Sequence, residues 1–338
     1  MKSNILHILL LSALVTNSCN PAPQPSDTLQ AEEPTAQPSA NHHPSTRPLS
    51  RRDVKVDRQL LYDRYTLNDN YEYQDEKRSF KWKQIRQTLA EIENMQSDSR
   101  PWIVMQNYQN RNQEAPLVKE YARNSYNRIA DTYGVERYQS VPLFEPDDPS
   151  TPERYGRDGS IAHLCGEEGG FYRVATPSDN HEWLIPKRYV KRLPNDTRFE
   201  HVIFVDRGDQ NITTLEWQSR GRWLIRSKNP ATTGRRRPPY AQATPLGIFL
   251  LQEQKLKMIY LKDGSSQVGG YAPYASRFTN GAYIHGVPVK APRKEPIEYS
   301  WSLGTIPRSH MCVRNATSHS KFVYEWAPVC RTLVVIIE

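Results

Sequence analysis

Ser309-His310-Met311-Cys312-Val313-Arg314 is the stretch on which the interpretation of this 338-residue chain depends. Alternate residues of a strand share one face, so a strand here would place His310 beside Cys312. A cysteine attacks acyl groups only as its thiolate, which requires a nearby base and a positive environment. Arg314 adds positive charge, and His285 or His310 could act as the base.

His285 ends the apolar run Ala282-Tyr283-Ile284, and Gly286 and Pro288 then indicate a loop. Catalytic side chains are often held at such loop edges. The alternative is that Cys312 is a buried strand thiol and His285 a surface residue. Local chemistry alone favours that structural interpretation.

Strand patterns surround these residues from His201 to the C-terminus. Val202–Val205 ends at a turn, and Ile212–Trp217 and Trp223–Arg226 are spaced like the two strands of a hairpin. Val329–Ile337 is a nearly continuous β-branched run that predicts a terminal strand. We therefore expect a β-rich domain over residues 199–338, about 140 residues and large enough for its own core.

The chain begins like an exported protein. Lys2 precedes an apolar run from Ile5 to Val15 that is too short to span a bilayer, which predicts a signal peptide over residues 1–18. The residues up to Cys19 resemble the lipobox of bacterial lipoproteins, which implies lipidation of Cys19. The alternative is an ordinary secreted protein with an incidental cysteine. Residues 19–53 are rich in Pro, Gln, Ser and Ala and lack apolar periodicity, which predicts a disordered tether behind the lipid anchor.

The positive charge is unevenly distributed. The chain has a net charge of +8, and residues 199–338 contain 19 Lys and Arg against 10 Asp and Glu. In an exported protein the nearby anionic polymers are the cell wall and lipid headgroups, so we expect no nucleic-acid partner. Arg235-Arg236-Arg237 alone indicates no more than a solvated surface.

Residues 54–133 form a mixed region with a helical pattern. Ile85, Leu89, Ile92 and Met95 recur at spacings of three and four residues, which predicts one amphipathic helix. A second helix is predicted over Leu117–Ile129 from a weaker pattern. Neither indicates what the region does.

Residues 134–194 contain short strand-like runs separated by turns, which predict a small β-barrel. The run Glu182–Val190 is similar to the closing strand of bacterial Src-homology-three-like barrels, a resemblance that implies binding of wall peptides. The alternative is that its aromatic side chains are only barrel core. His163, Cys165 and Glu167 are a conceivable metal cluster, but no matching pair lies elsewhere, so no metal site is predicted.

Three cysteines follow the predicted signal peptide and Cys19. This odd number leaves at least one free thiol unless chains pair. Cys330 lies in the predicted terminal strand, where a buried and inert thiol is expected. A disulfide between Cys165 and Cys330 remains an alternative.

Three ordered sequence elements change the interpretation of Cys312. His285-Gly286 followed by Ser309–Arg314 closely resembles the catalytic signature of the L,D-transpeptidases of the YkuD type. Ala243–Phe249 matches the TPxGxF strand that precedes that signature, and Val329–Ile336 lies where the family has its closing strand. The resemblance covers about residues 200–338. It implies a mainly β chain with a C-terminal β-sandwich catalytic domain, preceded by the small barrel and the short helical region.

The resemblance also implies roles for individual residues. Cys312 is the nucleophile, His285 the base, and the carbonyl of Gly286 orients the imidazole. The backbone amides of His310, Met311 and Cys312 form the oxyanion hole. Ser309, His310 and Arg314 shape the substrate pocket and charge it.

Two departures from the family pattern are visible. Met311 stands where the family usually has glycine, and a left-handed backbone at that position would strain a methionine. The spacer Gly286–Arg308, at 23 residues, is longer than is usual for the family. We expect its additional residues, about 288–296, to form a basic lid containing Lys290, Arg293 and Lys294.

Together these observations predict a lipid-tethered periplasmic L,D-transpeptidase that acts on peptidoglycan stem peptides and makes 3–3 crosslinks. A thiolate and a histidine suffice for this chemistry, so no cofactor is expected. A hydrolase, an enzyme that attaches proteins to peptidoglycan, and a catalytically decayed wall-binding lipoprotein remain alternatives.

Overall fold

The computed structural model describes residues 17–18, 47–177 and 181–338. The predicted signal peptide apart from residues 17–18, the lipidation site Cys19 and the tether up to residue 46 lie outside the described residues. The strands are β1 (Asn17–Ser18), β2 (Lys55–Arg58), β3 (Asn70–Tyr73), β4 (Glu76–Ser79), β5 (Trp102–Met105), β6 (Tyr121–Arg123), β7 (Ile129–Asp131), β8 (Ser140–Leu143), β9 (Arg154–Arg157), β10 (Ile161–Glu168), β11 (Phe171–Ala175), β12 (Glu182–Pro186), β13 (Val190–Arg192), β14 (His201–Asp206), β15 (Asn211–Ser219), β16 (Arg222–Pro230), β17 (Gly247–Leu250), β18 (Glu253–Leu261), β19 (Val268–Thr279), β20 (Ala282–His285), β21 (Val289–Lys290), β22 (Val313–Arg314) and β23 (Thr332–Ile337). The helices are α1 (Trp82–Gln96) and α2 (Thr317–Trp326), with short 3-10 helices at Tyr108–Asn110 and Lys187–Tyr189. Helix α2 was not foreseen. None of these helices is long and apolar enough to cross a membrane.

The C-terminal half forms, together with β1 and β2, a sandwich of two six-stranded sheets. One sheet has the order β17-β23-β14-β15-β16-β2, and the other has the order β1-β18-β19-β20-β22 with β21 paired to β19. The core between them includes Ile203, Phe278, Ile284 and Val334. The predicted mainly β fold with a C-terminal sandwich is confirmed.

Strand β23 lies in the interior of the first sheet, parallel to β14 and antiparallel to β17. Val334 and Ile336 face the second sheet, whereas Leu333 and Val335 belong to a second core on the opposite face. Because both faces are buried, every position of the strand is apolar after Thr332. The predicted terminal strand is therefore confirmed.

Helix α1 covers that opposite face of the first sheet. It buries Ile85, Leu89 and Ile92, with Met95 partly buried, so the predicted amphipathic stripe is confirmed. Residues 47–53, which the sequence assigned to the tether, also contact this layer. Leu49 packs against the core, and its backbone amide and carbonyl bond to the Asn94 side chain at 2.7 and 2.8 Å.

The second predicted helix is wrong. Residues 121–131 form the hairpin β6–β7, and Leu117 and Tyr121 are exposed, so they provide no buried stripe for a helix. The side-chain oxygen of Asn124 accepts hydrogen bonds from the amides of Tyr126 and Arg128. Such local side-chain bonds compete with helical ones and favour a turn.

A third sheet, of five antiparallel strands, precedes the sandwich in the order β12-β11-β10-β5-β13. Its core includes Met105, Val141, Trp183 and Tyr189. Strand β5 comes from the region predicted as helical and mixed, so this sheet extends beyond residues 134–194. We use the name N-terminal sheet for these five strands together with the adjoining hairpin β8–β9.

Cys165 is a free thiol, so the alternative Cys165–Cys330 disulfide does not form. Cys330 is buried, as expected.

Candidate active site

Two short parallel strands bring the predicted nucleophile and base to one face of the second sheet. Strand β20 pairs with β22 so that Ile284 lies opposite Val313 and His285 opposite Arg314. Cys312 lies immediately before β22, and the alternation of side chains along an extended backbone predicts that it projects to the same face as Arg314 and His285. The pairing of β20 with β22 thus brings these two parts of the sequence to neighbouring strands.

His285 is buried, with 3% of its surface exposed, and its Nδ1 lies 2.7 Å from the carbonyl oxygen of Gly286. A carbonyl only accepts, so Nδ1 carries the hydrogen and Nε2 of the neutral ring keeps its lone pair. Burial lowers the pKa of His285 to about 4; the bond to Gly286 opposes this shift, and the charge of Arg314 adds to it. The imidazole is therefore neutral at physiological pH and able to accept a proton.

The thiol of Cys312 is partly buried and protonated at rest. Burial raises the pKa of the Cys312 thiol, opposed by the backbone amide of Tyr283 and by the charge of Arg314. Its Sγ donates to the carbonyl of Gly281 at 3.6 Å. Within the part of the chain described, no hydrogen bond joins this thiol to His285.

Buried hydroxyl groups hold the loop that carries Cys312. Ser309 is 1% exposed, and its hydroxyl donates to the carbonyl of Cys312 at 2.5 Å. Thr244 of the TPxG element donates to the carbonyl of Met311 at 2.7 Å and accepts from the amide of Gly234 at 2.8 Å. These contacts indicate that Ser309 positions the loop, and a contact of Ser309 with substrate stays a prediction.

Glycine is required at position 234. A Cβ there would lie 2.3 Å from the carbonyl oxygen of Gln242 and 2.8 Å from the Cα of Met311. The TPxG element and the segment before it therefore pack directly on the nucleophile loop.

Met311 shows none of the strain that its position suggested. Its backbone lies outside the left-handed region, and its side chain packs on the core of the sandwich. Among the described residues, the backbone amides of His310, Met311 and Cys312 find no acceptor. Amides without a protein acceptor are available to stabilise an oxyanion, and the oxyanion hole itself stays a prediction.

His310 is exposed at the surface. Its Nε2 lies 3.0 Å from the carboxylate of Asp263, in the turn between β18 and β19. Of the two candidate bases, His285 is therefore the buried one and His310 the exposed one.

Two arginines lie beside the nucleophile loop. Arg314 forms a bridge with Thr232, and the amide of Arg235 donates to the carbonyl of Ser309 at 3.0 Å. Within the residues that the structure covers, the buried Nε atoms of Arg235 and Arg314 have no hydrogen-bond partner. The sequence indicates only surface charge at Arg235. Its position beside the nucleophile loop depends on the long-range bridge between Gly234 and Ser309.

The predicted lid lies along the hairpin β18–β19. Strand β21 pairs with β19, and the hydroxyl of Tyr260 donates to the carbonyl of Val289 at 3.2 Å. Lys290, Arg293 and Lys294 are exposed. The charge of Arg314 acts on the phenol of Tyr260, so this segment adjoins the site, and its effect on substrate remains a prediction.

The residues of the conceivable metal cluster have other partners. The His163 ring lies 3.8 Å from that of Trp102, Arg100 donates to Sγ of Cys165 at 2.9 Å, and Lys187 pairs with Glu167. Across residues 47–177 and 181–338, no group of three or more His, Cys, Asp or Glu side chains is arranged to hold a metal ion.

Residues 200–336 match the family model of the L,D-transpeptidase catalytic domain, YkuD. This part of the chain is a YkuD-type domain. No curated protein matches the chain.

Several solved structures are similar at low identity. A fused Zn-dependent amidase/peptidase/peptidoglycan-binding domain-containing protein from Clostridium acetobutylicum is 17% identical, with a TM-score of 0.30; the match covers 42% of this chain and 54% of that one. An L,D-transpeptidase from Mycobacterium smegmatis is 14% identical, with a TM-score of 0.34 and coverage of 52% and 82%. An L,D-transpeptidase from Xylanimonas cellulosilytica is 21% identical, with a TM-score of 0.28 and coverage of 43% and 64%.

Proposed function

We propose that the protein is a cysteine-dependent L,D-transpeptidase that acts on peptidoglycan stem peptides through a thioester acyl-enzyme. One observation carries the proposal: a buried, neutral His285 ends β20, and Cys312 immediately precedes β22, the parallel partner of β20, within the segment that matches the YkuD domain. The neutral imidazole suits a general base, and the protonated thiol is the group that it would activate.

In the acylation step, the Cys312 sulfur attacks the carbonyl of the third residue of a donor tetrapeptide. The thiol proton passes to Nε2 of His285 as the S–C bond forms. The C–N bond to the terminal D-amino acid then breaks, and the leaving amine takes that proton. The free amides of residues 310–312 would stabilise the oxyanion, each contributing roughly 3 kcal/mol.

In the second step, the side-chain amine of another stem peptide attacks the thioester. Its proton passes to His285, a new amide bond forms, the S–C bond breaks, and the sulfur is reprotonated. The product is a 3–3 crosslink. Water as acceptor would make the protein a hydrolase, and a protein lysine would make it an attaching enzyme.

Recognition of the donor would use the arginines at the site. Stem peptides carry free carboxylates, and a guanidinium binds a carboxylate with two parallel hydrogen bonds. Arg314 and Arg235 have unpaired Nε donors in the described structure. We propose that these two side chains bind a carboxylate of the donor stem.

The N-terminal signal pattern supports a location in the periplasm, with Cys19 lipidated and residues 19–46 spanning the distance from the membrane.

We further propose that the N-terminal sheet is a Src-homology-three-like barrel. The supporting observation is its set of five antiparallel strands around a single apolar core.

Intact-mass measurement after exposure to a carbapenem tests the enzyme proposal. We expect a covalent adduct on the wild-type protein and none on Cys312→Ala. A wild-type protein without adduct, under conditions that acylate a control transpeptidase, would instead support a decayed wall-binding protein. Analysis of muropeptides released from treated sacculi then distinguishes crosslinking from hydrolysis and from protein attachment.

A further inference from the structure

The N-terminal sheet inserts a turn into the catalytic domain. The turn joins β9 to β10, and Gly159 within it has a φ of +86°. A Cβ on Gly159 would lie 2.0 Å from the carbonyl oxygen of Phe278, so only glycine allows this approach. The Gly159 carbonyl accepts from the amide of Leu250 at 2.8 Å, and Ser160 forms a bridge with Phe249.

Asp158, in the same turn, is fully buried and bonds to the catalytic domain from several directions. Its carboxylate accepts hydrogen bonds from Arg277 at 2.7 Å, from the side chain of Gln252 at 3.0 Å and from the amide of Asn280 at 3.1 Å. The hydroxyl of Thr279 donates to the Asp158 carbonyl at 2.5 Å. A buried carboxylate with these partners fixes the backbone around it, because releasing it would leave buried charge unpaired.

The segment that Asp158 holds is also the one against the thiol. We use the name active-site turn for residues 277–283, which comprise the end of β19, the connection at residues 280–281 and the start of β20. Its Gly281 carbonyl accepts from Sγ of Cys312, and the Tyr283 amide faces the same sulfur. Two residues later the same strand carries His285. Asp158 therefore contacts the segment that positions both the thiol and the imidazole.

A second residue of the N-terminal half supports this segment. The guanidinium of Arg277 lies 4.4 Å from the centre of the Tyr108 ring, and the phenol of Tyr108 helps to raise the pKa of Tyr283. The arginine is thus enclosed between Asp158, Tyr108 and Glu253, whose carboxylate lies 3.4 Å away.

We propose that Asp158 is a positioning residue for Cys312, and that the N-terminal sheet is part of the catalytic unit rather than a separable wall-binding module. Asp158 acts through Arg277 and Asn280, which hold the active-site turn against the thiol. The proposal rests on the proposed function only in taking Cys312 as the nucleophile.

Asp158→Asn tests this in the full chain, because it keeps the shape of the side chain and removes its charge. Asp131→Asn is the matched control. Asp131 is also buried in the N-terminal half, where it accepts amide hydrogen bonds from Tyr133, Val135 and Tyr155 but bonds to no residue of the catalytic domain among those described. Two reactions of Cys312 are measured. The first is alkylation by iodoacetamide over a range of pH, which peptide mass spectrometry quantifies at this residue. The second is acylation by a carbapenem.

For Asp158→Asn, we expect acylation to slow by about tenfold or more. The maximal rate of acylation should fall, whereas the carbapenem concentration that gives half of this rate should change little. We also expect the alkylation profile to shift toward that of an ordinary thiol. Asp131→Asn should stay within about twofold of wild type in both reactions when compared at equal folded fraction.

If Asp158→Asn does not fold, Thr279→Val removes one hydrogen bond at the same junction and should slow Cys312 in the same direction. The proposal would be overturned if Asp158→Asn reacted at the wild-type rate, or if Thr279→Val did so where only that variant folds. Equal slowing in Asp131→Asn would also overturn it. Absence of a carbapenem adduct on the wild type would count against the proposed function. The alkylation profile would still decide whether Asp158 positions the thiol.

Discussion

Acylation of Cys312 should remain fast in mildly acidic solution, because burial lowers the pKa of His285 to about 4. At about pH 5.5, a histidine with this pKa is roughly 97% neutral, whereas one with an ordinary pKa of about 6.5 is roughly 9% neutral. If neutral His285 is the base, the rate at pH 5.5 should be close to the rate at pH 7.5. An unperturbed histidine would lose about tenfold over the same interval.

The assay is the pseudo-first-order rate of carbapenem adduct formation, followed by intact mass between about pH 4.5 and pH 9. Stability must be followed in parallel, because the unfolded chain binds a proton at His285 that the native chain does not. The folded pKa lies below the unfolded one, so the stability contribution is lost as pH falls from about 6.5 toward 4, by about 1.4 kcal/mol at pH 5.5. Circular dichroism under each condition gives the folded fraction for correction. A corrected rate that falls about tenfold with a midpoint near pH 6.5 would refute the buried, neutral base.

Three substitutions test other contacts of the site. Met311→Gly should leave the acylation rate within about twofold of wild type and lower stability by about 2 kcal/mol in urea denaturation, since glycine relieves no strain, adds flexibility and removes a side chain that packs on the core; a large increase in rate would show that Met311 does distort the loop. Thr244→Val removes the hydrogen bonds to Gly234 and Met311 and should cost about 2 kcal/mol of stability and slow acylation; unchanged stability in urea would show that these bonds contribute little. Arg235→Gln should raise KM for a stem tetrapeptide by about tenfold with little change in kcat, as loss of a carboxylate contact requires, and an unchanged KM in steady-state kinetics would remove Arg235 from substrate binding.

The elements predicted from sequence are those whose pattern is set by local burial. Helix α1 shows its stripe because one face packs on a sheet, and β23 is continuously apolar because both of its faces are buried. A weak apolar spacing predicts a helix where residues 121–131 form a hairpin. The hairpin forms because the side-chain hydrogen bonds of Asn124 favour a turn.

In the candidate site, the motifs located His285, Gly286, Cys312 and Thr244, but they did not show what Thr244 contacts, and no pattern pointed to Arg235 or Asp158. These three residues act through contacts to residues far away along the chain. Such contacts depend on sheet order and register, which no local pattern encodes. Ser309 shows the same limit. Its residue type matches the family motif, but the motif does not predict that its side chain is buried.

The central claim is transfer of a stem peptide through Cys312, and its most direct test uses a purified disaccharide tetrapeptide as both donor and acceptor. Mass spectrometry of the products distinguishes a 3–3 linked dimer with release of the terminal D-amino acid from simple hydrolysis. We predict the dimer with the wild-type protein, and neither dimer nor released amino acid with Cys312→Ala. A dimer formed equally by Cys312→Ala, or no dimer from a folded wild-type protein that forms the carbapenem adduct, would contradict the account.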